Sequence, residues 1–209
     1  MLYCSIDIET SGLDHEKNNL LSISVIVEDT KLKLPFEEIP KFNAIIPDFN
    51  IYGSPRALVM NSKIIDLIAE YHDTNQTNIK KLEEKTGYKF IIKEKLTFKL
   101  YEFLCLNGYG DGLKVTKFDG NTPPLTINVA GKNFNTFDKL FLNNLLWFKK
   151  LIHIRQRYLD PAILYCDFEN DDTLPNLDLC KKRGKINGIV THDAVEDAWD
   201  VVQLLRKFY

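Results

Sequence analysis

Residues 2–9 alternate in polarity. Leu2, Cys4, Ile6 and Ile8 fall on one side and Tyr3, Ser5, Asp7 and Glu9 on the other, the two-residue period of a strand. Thr10-Ser11-Gly12 supplies turn chemistry at its end. Residues 20–27 (LLSISVIV) and 42–46 (FNAII) predict two further strands, the first of them closing a hairpin with residues 2–9. Beyond Pro55 the apolar positions Ala57, Ile64, Ile65, Leu67 and Ile68 predict a helix to about Tyr71. A polar break (TNQTN) follows at 74–78, then a helix over 93–106 and a glycine- and proline-punctuated loop over 107–124. Residues 125–130 (LTINVA) read as a strand closed by Gly131-Lys132-Asn133, residues 134–148 as a helix and residues 152–159 as a fifth strand. Short helices are expected near 162–165 and 176–182, and a strongly periodic one over 193–207. Three strands in succession, followed by strands alternating with helices, predict one α/β domain with a mixed sheet. The segment 74–124 is the part this pattern places least well, and it is where an insertion would sit.

The composition fits that picture. A chain of 209 residues with 44% hydrophobic positions has the length and apolar content for one ordinary core. No uncharged apolar run approaches the ~20 residues that span a bilayer, so no membrane role is expected. The first residues lack the basic-then-apolar order of a secretory signal. Cys4, Cys105, Cys166 and Cys180 form no C-x-x-C pair and stand outside zinc spacing of any histidine, which argues against a zinc finger. They read as reduced packing thiols, and a cytoplasmic protein is expected. The net charge of −2 disfavours a protein that holds long duplex DNA by neutralising phosphates, while leaving room for an enzyme that grips a strand end. No G-x-G-x-x-G or P-loop occurs, so a nucleotide-binding α/β domain lacks support.

Three places put carboxylates where an ordinary fold would avoid them. Strand alternation sends Asp7 and Glu9 off the same face, about 6–7 Å apart, at the carboxyl end of an apolar strand, where open α/β sheets place ligands. The plain alternative is a polar strand end facing water. On the 134–148 helix, Phe134, Phe137, Phe141, Leu145 and Phe148 share an arc into which Asp138 falls; the alternative is a helix-start acid favoured by the dipole. On the last helix Ala194, Ala198, Val201 and Leu205 form the buried stripe, with Asp197 at its edge and Asp193, Glu196, Asp200 and Gln203 on the solvated side. A buried ion pair is the alternative for Asp197. His192 precedes that helix, behind Thr191, and is the histidine with acidic company; His15, His72 and His153 are read as structural.

Four inward-turned acids from three separated elements need positive charge, and no matching inward arginines are evident. Hard divalent cations with oxygen ligands, Mg²⁺ or Mn²⁺, meet that need. A pair of such ions serves phosphodiester cleavage, with a neutral histidine taking the proton of the attacking water.

These residues resemble a known family. Asp7-Ile8-Glu9-Thr10-Ser11-Gly12-Leu13 is similar to the first motif, D-x-E-T-T-G-L, of the DEDDh 3′–5′ exonucleases. Asn133 with Phe137-Asp138 resembles the second motif, and His192-Asp193-Ala194-Val195-Glu196-Asp197-Ala198 the third, H-x-A-x-x-D-A. The family includes oligoribonuclease, ribonuclease T and polymerase proofreading subunits. The resemblance implies a ribonuclease-H-like fold with a five-stranded mixed sheet flanked by helices. It implies two metal ions: Asp7, Glu9 and Asp197 bind the first, Asp7 bridges to the second and Asp138 completes the site. It makes His192 the general base, sets Thr10 and Leu13 near the terminal nucleotide and gives Asn133 the scissile region. The implied reaction releases nucleoside 5′-monophosphates from single-stranded DNA or RNA 3′ ends, with a polymerase or a second copy of the chain left open as partner. Ser11 stands where the family has a second threonine, and Asn133 is five residues before Asp138, as in the oligoribonuclease-like members.

Lys132, Lys149, Lys150, Arg155, Arg157 and the run 181–185 are the basic residues available for phosphate contact, the last being the densest. The rival reading is a non-catalytic nucleic-acid-binding or polymerase-accessory protein on the same fold.

Overall fold

The computed structural model describes residues 1–110 and 120–209. The expected loop at 107–124 therefore lies partly outside the described residues. The sheet has the order β4-β3-β2-β1-β5-β6, with β1 (Leu2–Thr10), β2 (Leu20–Asp29), β3 (Lys41–Ile45), β4 (Lys89–Phe90), β5 (Leu125–Ala130) and β6 (Ile152–Leu159). It is mixed, as expected, but has six strands among the described residues where five were anticipated. The extra one, β4, is two residues long and pairs parallel to β3 through Ala44↔Lys89 and Ile45↔Phe90. So short a strand leaves no periodicity to read.

The β1–β2 hairpin forms in antiparallel register from Leu2↔Asp29 to Glu9↔Ser22, with a bulge between Glu9 and Thr10. β1 and β5 are parallel, as are β5 and β6. One face of the sheet, carrying Cys4, Ile6, Ile8, Ile23, Val25, Ile127 and Ile152, packs on α4 (Lys93–Leu104), α5 (Asp138–Asn143) and α6 (Phe148–Leu151). The other face buries Tyr3, Ile26 and Ala130 against Ala198, Val201, Val202 and Leu205 of α9 (Ala194–Leu205).

Helix α9 is drawn close to β1 by small groups. The buried Ser5 hydroxyl donates to the Ala198 carbonyl at 2.8 Å, which is feasible because Ala198 brings only a methyl group to the contact. The far end of the helix is tied down by Arg206, which forks onto Glu28 at 2.9 and 2.6 Å.

Two expected helices change shape, and one further helix appears. The helix after Pro55 is interrupted at Asn61, giving α1 (Pro55–Met60) and α2 (Ser62–His72). The polar break expected at 74–78 falls at 73–75 instead, because Asn75 accepts from Asn78 N and caps a further helix, α3 (Gln76–Thr86). The expected 134–148 helix shortens to α5 because Asn133 at φ +59° and the turn after it hold the chain out of helical form until Asp138. Trp147, left-handed at φ +65°, then separates α5 from α6. Helices α7 (Pro161–Leu164) and α8 (Leu177–Gly184) lie near their expected places. The four cysteines are free thiols. Among the described residues no helix is long and apolar enough to cross a membrane.

Candidate active site

The carboxyl end of β1 opens into a cavity of about 480 Å³ whose lining includes Asp7, Glu9, Thr10, Leu13, Asn133, Asp138, His192 and Asp197. All eight residues singled out from the sequence thus meet at one place, although they come from three separate stretches of chain. The β1–β2 hairpin presents Asp7 and Glu9, and its bulge, which leaves Leu21 unpaired between Glu9↔Ser22 and Thr10↔Leu20, shifts the register just as the chain reaches Thr10. The Ser5–Ala198 bond sets α9 against β1 in the register that brings Asp197 beside Glu9. Gly131 lets the chain pass so close to Ile6 that a Cβ there would stand 2.9 Å from the Ile6 carbonyl oxygen, and this close passage leads directly into Lys132 and Asn133 at the cavity.

Glu9, His192 and Asp197 each offer a ligand atom within 4.8 Å of the others, a group that could hold a metal ion. Asp138 is buried at the first position of α5. The structure therefore joins the two readings of this acid, since it both starts a helix and lines the cavity. Asp7 is half-buried and Glu9 and Asp197 are buried.

This crowding sets the protonation of the group. Burial first, then the charges of Asp138, Glu9 and Asp197, push the Asp7 carboxyl well above its ordinary value. Burial and then Asp197 raise Glu9 to about 8, against a hydrogen bond from Asn61 that lowers it. Burial raises Asp138 to about 8 although backbone amides, Ile8's among them, favour its charged form. Burial and Asp200 raise Asp197 to about 7. No ion pair involves any of these four acids among the described residues. The Asp197 Oδ1 atom is buried with no hydrogen-bond partner. An unpartnered buried carboxylate oxygen is costly unless a cation meets it, so the donor set fits a hard divalent ion.

The alternative of a buried ion pair falls to the neighbouring acid. Lys181, buried, pairs with Asp200, one turn along α9 from Asp197. Asp200 was expected on the solvated side and is instead buried at 6% exposure. Lys181, part of the run expected to face phosphate, is spent inside the protein.

His192 is exposed and left-handed at φ +54°, a region in which histidine is enriched among non-glycine residues. Asp193, next to it, caps α9 by accepting from Val195 N. Leu13 is 85% exposed at the cavity wall. The side chain of Asn133 accepts from Thr136 Oγ1 at 2.5 Å, and its backbone N–H donates to Asp160. Ser11 acts as a clasp, donating to Tyr52 O and accepting from Asn19 N, and its carbonyl lies so near Gly53 that a Cβ there would sit 2.1 Å away.

Sequence reasoning missed several wall residues. Asn61 is buried, donates to the Thr10 carbonyl at 3.1 Å and touches Glu9. Its signal was available as a helix-capping residue type in the middle of an expected helix. Arg56, Met60 and Lys132 also line the cavity. Tyr88 reaches Asp193 from the segment that the pattern could not place.

No family model matches the sequence, and no curated protein matches it. Solved structures do resemble the fold. Exonuclease I from Methylocaldum szegediense aligns with a TM-score of 0.59 at 14% identity, covering 99% of this chain and 40% of that one. E. coli exonuclease I in complex with a dT13 oligonucleotide aligns at 0.56 and 15%, covering 99% and 40%. The zinc-ion-bound form of an E. coli exonuclease I–single-stranded DNA complex aligns at 0.56 and 14%, covering 98% and 40%. The chain thus spans about two fifths of the length of these structures, and at such identity the likeness is one of fold.

Proposed function

We propose that this chain is a metal-dependent 3′–5′ exonuclease that hydrolyses phosphodiester bonds at single-stranded nucleic acid ends and releases nucleoside 5′-monophosphates. One observation carries the reading: Asp7, Glu9, Asp138 and Asp197 converge on one cavity without a basic partner, and His192 stands at the same cavity. The fold likeness to exonuclease I, seen with single-stranded DNA in two structures, supports it.

Asp7, Glu9, Asp138 and Asp197 would hold two Mg²⁺ or Mn²⁺ ions. Bound divalent ions supply the positive charge that activates a water and stabilises the leaving oxygen. His192 accepts the proton of the attacking water, and its exposure lets that proton pass on to solvent. Leu13 presents an apolar side chain to the terminal base, the Thr10 region presents backbone to the terminal nucleotide, and Asn133 lies beside the scissile region. Lys132 supplies a cation at the cavity for the phosphate that is cut.

The test is incubation of end-labelled single strands of DNA and of RNA with Mg²⁺, then with EDTA. Mononucleotides should accumulate with metal only, and Asp7→Ala should abolish them while the protein stays folded. A protein that binds strands yet never shortens them under any divalent ion would be the non-catalytic binder instead.

A further inference from the structure

Two groups of basic residues outside the cavity have opposite fates. Lys181 is neutralised inside the protein by Asp200, and half-buried Arg183 is neutralised by Asp171. Residues 139–159 contain Lys139, Lys149, Lys150, Arg155 and Arg157 and not one Asp or Glu, in a chain whose net charge is −2. None of these five cations enters an ion pair among the described residues.

The topology gathers that positive stretch along one margin of the molecule. Among the described residues β6 is an edge strand, and His153, Arg155, Gln156 and Arg157 on it are exposed, as are Lys149 and Lys150 just before it. The β5–β6 pairing slips between Ile127↔Ile154 and Val129↔Tyr158, so Arg155, Gln156 and Arg157 stand against the single residue Asn128. Those four residues line a cleft of about 490 Å³. A second cleft of about 240 Å³ is lined by Lys139, Asn143, Lys149 and His153 together with Ile152 and Ile154. The strand runs toward the candidate active site. Its last residue, Leu159, accepts from Gly131 N at 3.2 Å, and Asp160 accepts from Asn133 N at 3.1 Å, joining the edge to the turn whose Lys132 and Asn133 line the cavity.

We infer that the β6 edge is a second, non-catalytic binding surface for the phosphodiester backbone of the strand whose end occupies the active site. The proposal rests on the exonuclease reading for its choice of occupant. The chemistry supports that choice. The Arg155–Arg157 cleft offers guanidinium and amide groups and no apolar side chain. A protein partner draws its affinity from aromatic or aliphatic anchors in pockets, whereas a nucleic acid backbone needs only cations and polar donors. Concentrating positive charge on one edge also explains how a net acidic chain can hold a polyanion, since local field and not net charge governs the encounter.

The experiment measures binding separately from cleavage. Fluorescence anisotropy with labelled dT and rU strands of about 20 nucleotides, in EDTA, compares the wild type with Arg155→Glu/Arg157→Glu, with the milder Arg155→Gln/Arg157→Gln, and with Lys31→Glu/Lys85→Glu as a control for net charge. Both edge variants should lose affinity, the glutamates about tenfold or more. The slope of log K against log salt should fall by about 1.4, the loss of two single-strand phosphate contacts. Affinity for a trinucleotide should fall less than affinity for the long strand. Edge variants that bind like the control variant would overturn the proposal. So would a polyglutamate peptide of matched charge binding the edge more tightly than either strand, which would make the occupant an acidic protein segment. Cleavage assays on the same variants separate the two ideas. Strand shortening with edge-independent binding sinks the edge alone, and edge-dependent binding without any shortening sinks the exonuclease reading alone.

Discussion

The Tyr88 hydroxyl donates a 2.9 Å hydrogen bond to Asp193 Oδ1, the carboxylate oxygen that also accepts from Val195 N to cap α9. Tyr88 is 7% exposed. Burial and then the Asp193 charge raise its phenol above the ordinary value, so it stays a donor at working pH. The bond anchors the residue that follows His192 and the start of the helix that carries Asp197. Tyr88→Phe should therefore cost about 1.5 kcal/mol of stability, the worth of a hydrogen bond to a charged group, measured by denaturant unfolding. Strand shortening should also slow several-fold, and that loss should vanish in a His192→Ala background if the bond acts by positioning His192.

The acid cluster sets a pH dependence whose sign is unusual. Glu9 and Asp138 at about 8 and Asp197 at about 7 stand above their ordinary values of 4.5, 3.8 and 3.8. Between roughly pH 4 and 8 the native state therefore binds more protons than the unfolded state at these sites. Their contribution to stability is full below the ordinary carboxylate values and is lost as pH rises through 7 to 8. Urea unfolding of the protein in EDTA at pH 5, 7 and 9 should show decreasing stability. A steady rise over that range would contradict the arrangement. Divalent ions should reverse the trend, because they bind the ionised forms.

Metal removal and charge removal should act in opposite senses on stability and activity. Asp197→Asn eliminates one of the mutually repelling buried acids, so in EDTA it should match or exceed the wild-type melting temperature. The same variant should lose most of the upward shift that the wild type shows with Mg²⁺ or Mn²⁺, and it should not shorten strands. Differential scanning calorimetry with and without metal reads both effects.

Lys181 belongs to the fold. Its amine pairs with Asp200 and donates to the Ile189 carbonyl at 3.2 Å, on the loop that leads to His192. Lys181→Met leaves Asp200 buried and unpaired and should cost about 3–5 kcal/mol. Lys181→Met/Asp200→Leu should recover much of that in chemical denaturation. A Lys181 variant with wild-type stability and weakened strand binding would return this residue to the phosphate-contact group.

Local periodicity made much of the chain legible. The two-residue alternation of Leu2 to Glu9 gave the strand and the shared face of Asp7 and Glu9, and the stripe Ala194, Ala198, Val201, Leu205 gave α9 and turned Asp197 inward. These features depend on neighbours in sequence, so a sequence contains them. The late start of α5 was not legible, because it follows from the left-handed Asn133 and from the close passage of Gly131 against Ile6. The sixth strand escaped because two residues have no period, and Asp200 was misplaced because its partner, Lys181, lies on another helix.

What the sequence determined by itself was the identity of the acids, the histidine and the elements that bear them. What only the tertiary structure decided was which charges meet. Asp197 faces Glu9 because Ser5 bonds the α9 backbone, Lys181 is consumed by Asp200, and Tyr88 reaches Asp193 across 105 residues. Electrostatic energy falls off with distance in space and with the local dielectric, and neither quantity is written in the order of the residues along the chain.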